Sequence, residues 1–147
     1  MIIWLYGQPC SGKTTLARKL LDSRFTKNKI HLIDGDAFRE VFQNNSYDRK
    51  GRIRNIERAS IVARYMESCG FTVICSFVTP YKEMRDGIKE LCKDLRFIYL
   101  DYLGERGRES YHVKDFEIPK EHEEDFLHLR TSDMNIGNAV IKIKEYL

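Results

Sequence analysis

The sequence predicts an α/β fold, a three-layer α/β/α sandwich built on a mostly parallel five-stranded sheet. Three observations carry that prediction. Short apolar runs alternate along the chain with segments of helical period, the pattern of parallel strands joined by helical crossovers. Gly7-Gln8-Pro9-Cys10-Ser11-Gly12-Lys13-Thr14 reads G-x-x-x-x-G-K-T, and it lies between a strand-like run and a helix-like one. The chain has 147 residues, which suits a single domain over 1–147 with one core.

Ile2-Ile3-Trp4-Leu5-Tyr6 is the first strand, and the helix after the glycine-rich loop is expected over 13–22. The second strand is Lys29 to Ile33, ending at Asp34-Gly35-Asp36, with a short helix from Ala37 to Phe42. Gln43 to Gly51 reads as a polar loop with Asn-Asn-Ser turn chemistry. From Ile53 to Cys69, apolar residues recur at Ile53, Ile56, Ala59, Ala63 and Met66, a helical period, and Gly70 caps it. Phe71 to Cys75 is the third strand, 81–93 a helix, and Phe97 to Leu100 the fourth strand. Gly104 to Glu124 fits neither period and is expected to form a mobile lid. Phe126 to Leu129 is a fifth short strand, and Asn135 to Leu147 is a closing helix. That helix and Trp4 offer surfaces for a homodimer.

The bulk numbers exclude several classes. Hydrophobic residues make up 42% and charged residues 32% of the chain, as in soluble globular proteins. A net charge of +3 does not by itself argue for nucleic acid. No apolar run reaches the roughly 20 residues that span a bilayer. The N-terminus enters a strand directly, without a signal-peptide pattern. Cys10, Cys69, Cys75 and Cys92 lack C-x-x-C spacing, which points to a reducing, cytoplasmic setting without a zinc ribbon.

The loop motif predicts a nucleotide site. Gly7 and Gly12 let the backbone curl so that its N–H groups, with that of Ser11, face phosphate oxygens, and the helix start at Thr14 and Thr15 adds more donors. Lys13 would reach the β- and γ-phosphates of ATP, and the Thr14 hydroxyl would take one Mg2+ position. In open α/β sheets ligands sit beyond the carboxyl ends of strands, where Asp34 and Asp36 stand. Asp36 is expected to be the base that accepts an acceptor's hydroxyl proton, with Asp34 beside the metal and substrate. The alternative role for Asp36 is to cap the helix starting at Ala37, and one residue can do both. Arg39, Arg49, Arg52, Arg54 and Arg58 form a basic cluster suited to an anionic acceptor, or to a solvated helix face. It lacks the aromatic interleaving of a nucleic-acid surface beyond Tyr47.

Several ordered pieces resemble the adenylylsulfate (APS) kinase family. The phosphate loop is followed by Leu32-Ile33-Asp34-Gly35-Asp36-Ala37-Phe38-Arg39, similar to that family's L-D-G-D-x-x-R. Gly51-Arg52-Ile53-Arg54-Asn55-Ile56-Glu57-Arg58 is similar to its D-R-x-E-N-I-R-R. Val73 to Tyr81 is similar to V-I-x-S-F-I-S-P-Y. The resemblance implies transfer of the ATP γ-phosphoryl group to the 3′-hydroxyl of adenosine 5′-phosphosulfate. It implies that Arg39 and Arg52 grip the acceptor's anion, that Asn55 and Ser76 line its pocket with the turn at Thr79-Pro80, and that Tyr47 stacks on its base. Arg106 and Arg108 are lid cations suited to closing on the transferring phosphoryl group.

The pattern also departs from the family's. Gly51 stands where the family has Asp, Glu57 where it has Arg, and the lid is shortened, without the family's second stacking Phe. A relative acting on another nucleotide-linked anion, such as a CDP-linked phosphoramidate, is the alternative. Asp101-Tyr102-Leu103-Gly104 formally matches the D-x-x-G of a GTPase, but no N-K-x-D follows it. A nucleotide-binding module without kinase activity is a further alternative.

Overall fold

The first strand, β1 (Ile2–Tyr6), lies at the centre of the sheet and has no exposed residue. Its side chains alternate between two cores. Ile2, Trp4 and Tyr6 enter one, and Ile3 and Leu5 enter the other. A strand covered on both faces reads as a continuous apolar run rather than an alternating one. In the computed structural model, which describes residues 1–107 and 109–147, the remaining elements follow in order. They are α1 (Lys13–Asp22), β2 (Ile30–Asp34), α2 (Gly35–Val41), α3 (Arg49–Ser68), β3 (Thr72–Phe77) and α4 (Lys82–Leu91), then β4 (Leu95–Asp101), β5 (Leu127–Arg130) and α5 (Ile136–Tyr146). The sheet has five strands in the order β2-β3-β1-β4-β5, and every pairing is parallel.

Each core belongs to one helical layer. Leu16, Ala17 and Leu20 of α1 pack with Ala139, Val140 and Ile143 of α5 against Ile3, Leu5, Ile74 and Ile98. Ile56, Ala59 and Ala63 of α3 and Met84 and Ile88 of α4 cover the opposite face. That second core is aromatic: Trp4 stacks on Phe77 with centroids 5.3 Å apart, and Tyr6 meets Phe97 edge-on at 5.5 Å. Trp4 is fully buried, and its indole N–H donates to Thr79 Oγ1 at 2.9 Å. The expectation that Trp4 serves a subunit surface is therefore corrected: its ring is core and its polar edge is used internally.

Two element boundaries differ instructively from expectation. The helix expected from Ile53 begins at Arg49, because Asp48 caps it by accepting the Gly51 N–H at 2.7 Å. The short helix expected from Ala37 begins at Gly35, so Asp34 holds the cap position and Asp36 lies within the first turn. No helix among the described residues is long and apolar enough to cross a membrane. The segment expected as a lid holds one short 3-10 turn, Glu109–Tyr111.

Candidate active site

The phosphate loop leaves β1 at its carboxyl end and leads into α1. Gly7 lies so close to β4 that an added Cβ would strike the Leu100 carbonyl, which fixes glycine there. Gly12, at φ 95°, completes the curl. Lys13 is 8% exposed, and its Nζ donates to the Gln8 carbonyl at 2.6 Å and to Ser11 Oγ at 3.2 Å. Burial pulls the Lys13 ammonium down to about 8, against opposing attraction from Cys10, Asp36 and Asp34. The loop is held from the far side as well, where Thr131 Oγ1 donates to the Ser11 carbonyl at 2.9 Å.

Oxygen ligands converge beside Lys13. The parallel register sets Asp34, the last residue of β2, against Ser76 of β3. Thr14 Oγ1 donates to Asp34 Oδ1 at 2.9 Å and lies 3.4 Å from Ser76 Oγ. A hydroxyl and a carboxylate of this kind fit a hard cation such as magnesium. Among the described residues there is no cluster of three or more His, Cys, Asp or Glu side chains able to hold a metal by itself. Asp34 stands at the cap position of α2 without a side-chain cap bond, and its carboxylate accepts from Thr14 instead.

A cavity of about 1180 Å³ opens over these groups. Cys10, Gly12, Lys13, Thr14 and Thr15 form its loop wall. Asp34, Asp36, Arg39, Tyr47, Arg52, Asn55 and Ser76 form the facing wall, and Arg106 comes from the lid segment. Gly7 and Ser11, also expected to bind the nucleotide, are buried within the loop and do not line the cavity. Arg108 lies outside the described residues. The two arginines on the facing wall do more than face the cavity. Arg39 Nη1 donates to the carbonyls of Asn44 and Ser46 at 3.1 and 2.9 Å, and its guanidinium lies 4.3 Å from the Tyr47 ring centre. Arg52 Nε donates to the Tyr47 carbonyl at 2.7 Å. The pair braces the loop that presents Tyr47, which is 60% exposed. Asn55 is buried, and its Oδ1 finds no partner among the described residues. Gly51 is explained by the same loop: an added Cβ would come within 2.6 Å of the Ser46 carbonyl.

The sequence names Arg106 as a lid cation but gives no sign of its contact with the phosphate loop, nor of the contacts made by Gln8, Arg49, Arg85 and Glu124. Arg106 Nη1 donates to the Cys10 carbonyl at 2.6 Å and lies 3.6 Å over the Tyr102 ring. Gln8 bonds the backbone of Val113. Arg49 stacks on Tyr81 at 3.9 Å and reaches Glu83 at 2.6 Å, so it is no idle member of a solvated face. Arg85 and Glu124 form a buried two-point ion pair, at 2.7 and 2.9 Å. Tyr111, from the lid segment, stands exposed on the cavity wall. Partners this far apart in sequence leave no local signal. The D-x-x-G match has a structural account, since Arg130 and His128 both engage Asp101, at 3.2 Å each.

A glycine-rich phosphate loop at the carboxyl end of the central strand, facing carboxylates on the neighbouring rim, defines a nucleotide-binding protein of the P-loop kinase type. A family model described as adenylylsulphate kinase matches residues 1–106, and the chain belongs to that family. A probable adenylyl-sulfate kinase of Aeropyrum pernix is 34% identical over 103 residues, covering 69% of this chain and 56% of the relative. A cytidine diphosphoramidate kinase of Campylobacter jejuni is 33% identical over 101 residues, covering 68% of this chain and 59% of the relative. The chain thus spans little more than half the length of these two relatives. The solved structure of Mycobacterium tuberculosis APS kinase in complex with AMPPNP and APS shares the fold. It has a TM-score of 0.85 over 98% of this chain and 95% of the other, at 20% identity.

Proposed function

We propose that the chain is an ATP-dependent kinase that phosphorylates a hydroxyl of a small anionic nucleotide, adenosine 5′-phosphosulfate first among them. One observation carries this reading: a single cavity joins the phosphate loop to Asp36 on one side and to Arg39, Tyr47, Arg52 and Asn55 on the other. The loop wall has what a polyphosphate donor needs, and the facing wall has what a nucleotide acceptor needs. The acceptor's hydroxyl oxygen bonds to the γ-phosphorus as the bond to the departing ADP breaks, and Asp36 takes the hydroxyl proton. Lys13 and the loop N–H groups neutralise the donor's oxygens. Thr14 and Asp34 would hold magnesium, which supplies further charge neutralisation when bound. Arg39 and Arg52 fix the acceptor's anionic group while keeping Tyr47 in place for base stacking.

The acceptor has a second reading. The Campylobacter relative is named for cytidine diphosphoramidate, and it matches this chain about as well as the Aeropyrum kinase does. An ADP-release assay with ATP and magnesium against adenosine 5′-phosphosulfate, a CDP-linked phosphoramidate, AMP and CMP decides between them. Turnover with adenosine 5′-phosphosulfate alone is the expected outcome. Turnover with only the cytidine compound selects the second reading, and, in a parallel arm with GTP in place of ATP, acceptor-independent GDP release would refute both.

A further inference from the structure

The geometry points to Gln8 as a positioning residue that clamps the lid segment to the phosphate loop and so sets the acceptor side of the cavity. This deepens the proposed function and rests on it. Gln8 occupies the second position of the loop, which the motif leaves free. Its carboxamide is a two-point match for a peptide unit: Nε2 donates to the Val113 carbonyl at 2.9 Å, and Oε1 accepts the Val113 N–H at 2.8 Å. The two residues are 105 positions apart, so a single side chain replaces the strand pairing that this stretch lacks. Val113 is buried, and the one regular element near it is the 3-10 turn Glu109–Tyr111.

The clamp bears on the cavity through two neighbours. Tyr111 lies two residues before Val113 and is 71% exposed, yet it contributes to the cavity wall. Arg106 holds the other end of the same segment to the Cys10 carbonyl at 2.6 Å. Arg106 and Val113 are therefore both tied to the loop between 8 and 10. The Gln8 backbone carbonyl also accepts from Lys13 Nζ at 2.6 Å. One residue thus contacts the phosphate-binding lysine with its main chain and the lid with its side chain. A change in loop conformation on nucleotide binding reaches Val113, and through it Tyr111, by this route.

Amide hydrogen exchange at Val113 tests the clamp without requiring turnover. Exchange there should be about tenfold faster in Gln8→Ala, the scale of losing two hydrogen bonds, with β1 and β3 amides unchanged. Gln8→Glu keeps the oxygen that receives the Val113 N–H and loses the donor, so it should give a smaller rise. AMPPNP should slow Val113 exchange in the wild type and much less in Gln8→Ala. Unaltered Val113 exchange in the variants, or equal protection by AMPPNP in both proteins, overturns the proposal. In the ADP-release assay Gln8→Ala should raise the acceptor KM several-fold more than the ATP KM; equal rises would also overturn it. A wild type that phosphorylates no acceptor would refute the functional reading, while the exchange arms would still decide the clamp.

Discussion

Replacing Glu124 with Gln tests the buried ion pair that anchors the far end of the lid segment to α4. The Arg85 and Glu124 side chains are 1% and 3% exposed, and their two hydrogen bonds are 2.7 and 2.9 Å long. Arg85 also reaches the Thr79 and Pro80 carbonyls, at the longer distances of 3.4 and 3.5 Å, and lies 5.4 Å from the Tyr6 ring centre. Gln matches the shape of Glu, so the change removes charge with little change in volume. An arginine left buried without its counter-ion costs about 3 kcal/mol. With an unfolding entropy of about 2.1 cal/mol/K per residue, that cost lowers Tm by about 10 °C for a chain of 147 residues. Differential scanning calorimetry at neutral pH reads the shift directly. The double variant Arg85→Met with Glu124→Leu should recover most of the loss, because it buries apolar groups instead of one unpaired charge. A single variant within about 2 °C of wild type would refute the reasoning, since the pair would then be solvated or dispensable.

Asp36→Asn should lower kcat in the ADP-release assay by about 100-fold or more with the circular dichroism spectrum unchanged, and near-normal turnover would remove Asp36 as the base. Lys13 titrates near pH 8 because burial disfavours its charged form, and a bound polyphosphate favours that form again. ATP binding should therefore take up a proton near pH 8 and weaken as pH rises beyond it, as measured by calorimetry in buffers of different ionisation enthalpy. Lys13→Arg, whose charge persists across this range, should flatten that dependence. The linkage to stability has the opposite slope: between about 8 and the ordinary 10.5 the unfolded chain keeps a proton that the folded protein sheds, so the stability of the nucleotide-free protein rises with pH across that window. Arg52→Ala should raise the acceptor KM more than the ATP KM, because it removes both a cation and the brace on Tyr47; the reverse order would move Arg52 to the donor side. Gly51→Ala should act the same way through loop 44–48, since its Cβ has no room beside the Ser46 carbonyl.

The donor half of the site was legible because its chemistry is local. The run from Gly7 to Thr14 supplies backbone curl, lysine and hydroxyl within one turn of chain, and the apolar strand before it fixes where that turn must lie. Central, doubly covered strands carry continuous apolar runs, so β1 and β3 were visible together with the order of alternating elements. Asp34 and Asp36 followed from the rule that ligands gather at strand ends. The start of α3 was missed although its signal, Asp48 before a helical run, was present; the Asn-Asn-Ser turn residues outweighed it.

Other features belong to the tertiary structure alone. Nothing local to Gln8 announces Val113, and nothing local to Arg85 announces Glu124, because each pairing depends on how the segment between β4 and β5 is laid back over the loop. The same holds for Trp4, whose large ring suggested an outer surface until the placement of β1 at the sheet centre buried it against Phe77. The phosphate-loop motif and the α/β alternation could be read along the chain, because both depend on near neighbours in sequence. The roles of Arg85, Arg106 and Gln8 emerge only in the folded chain, because their contacts span 39, 96 and 105 positions of sequence.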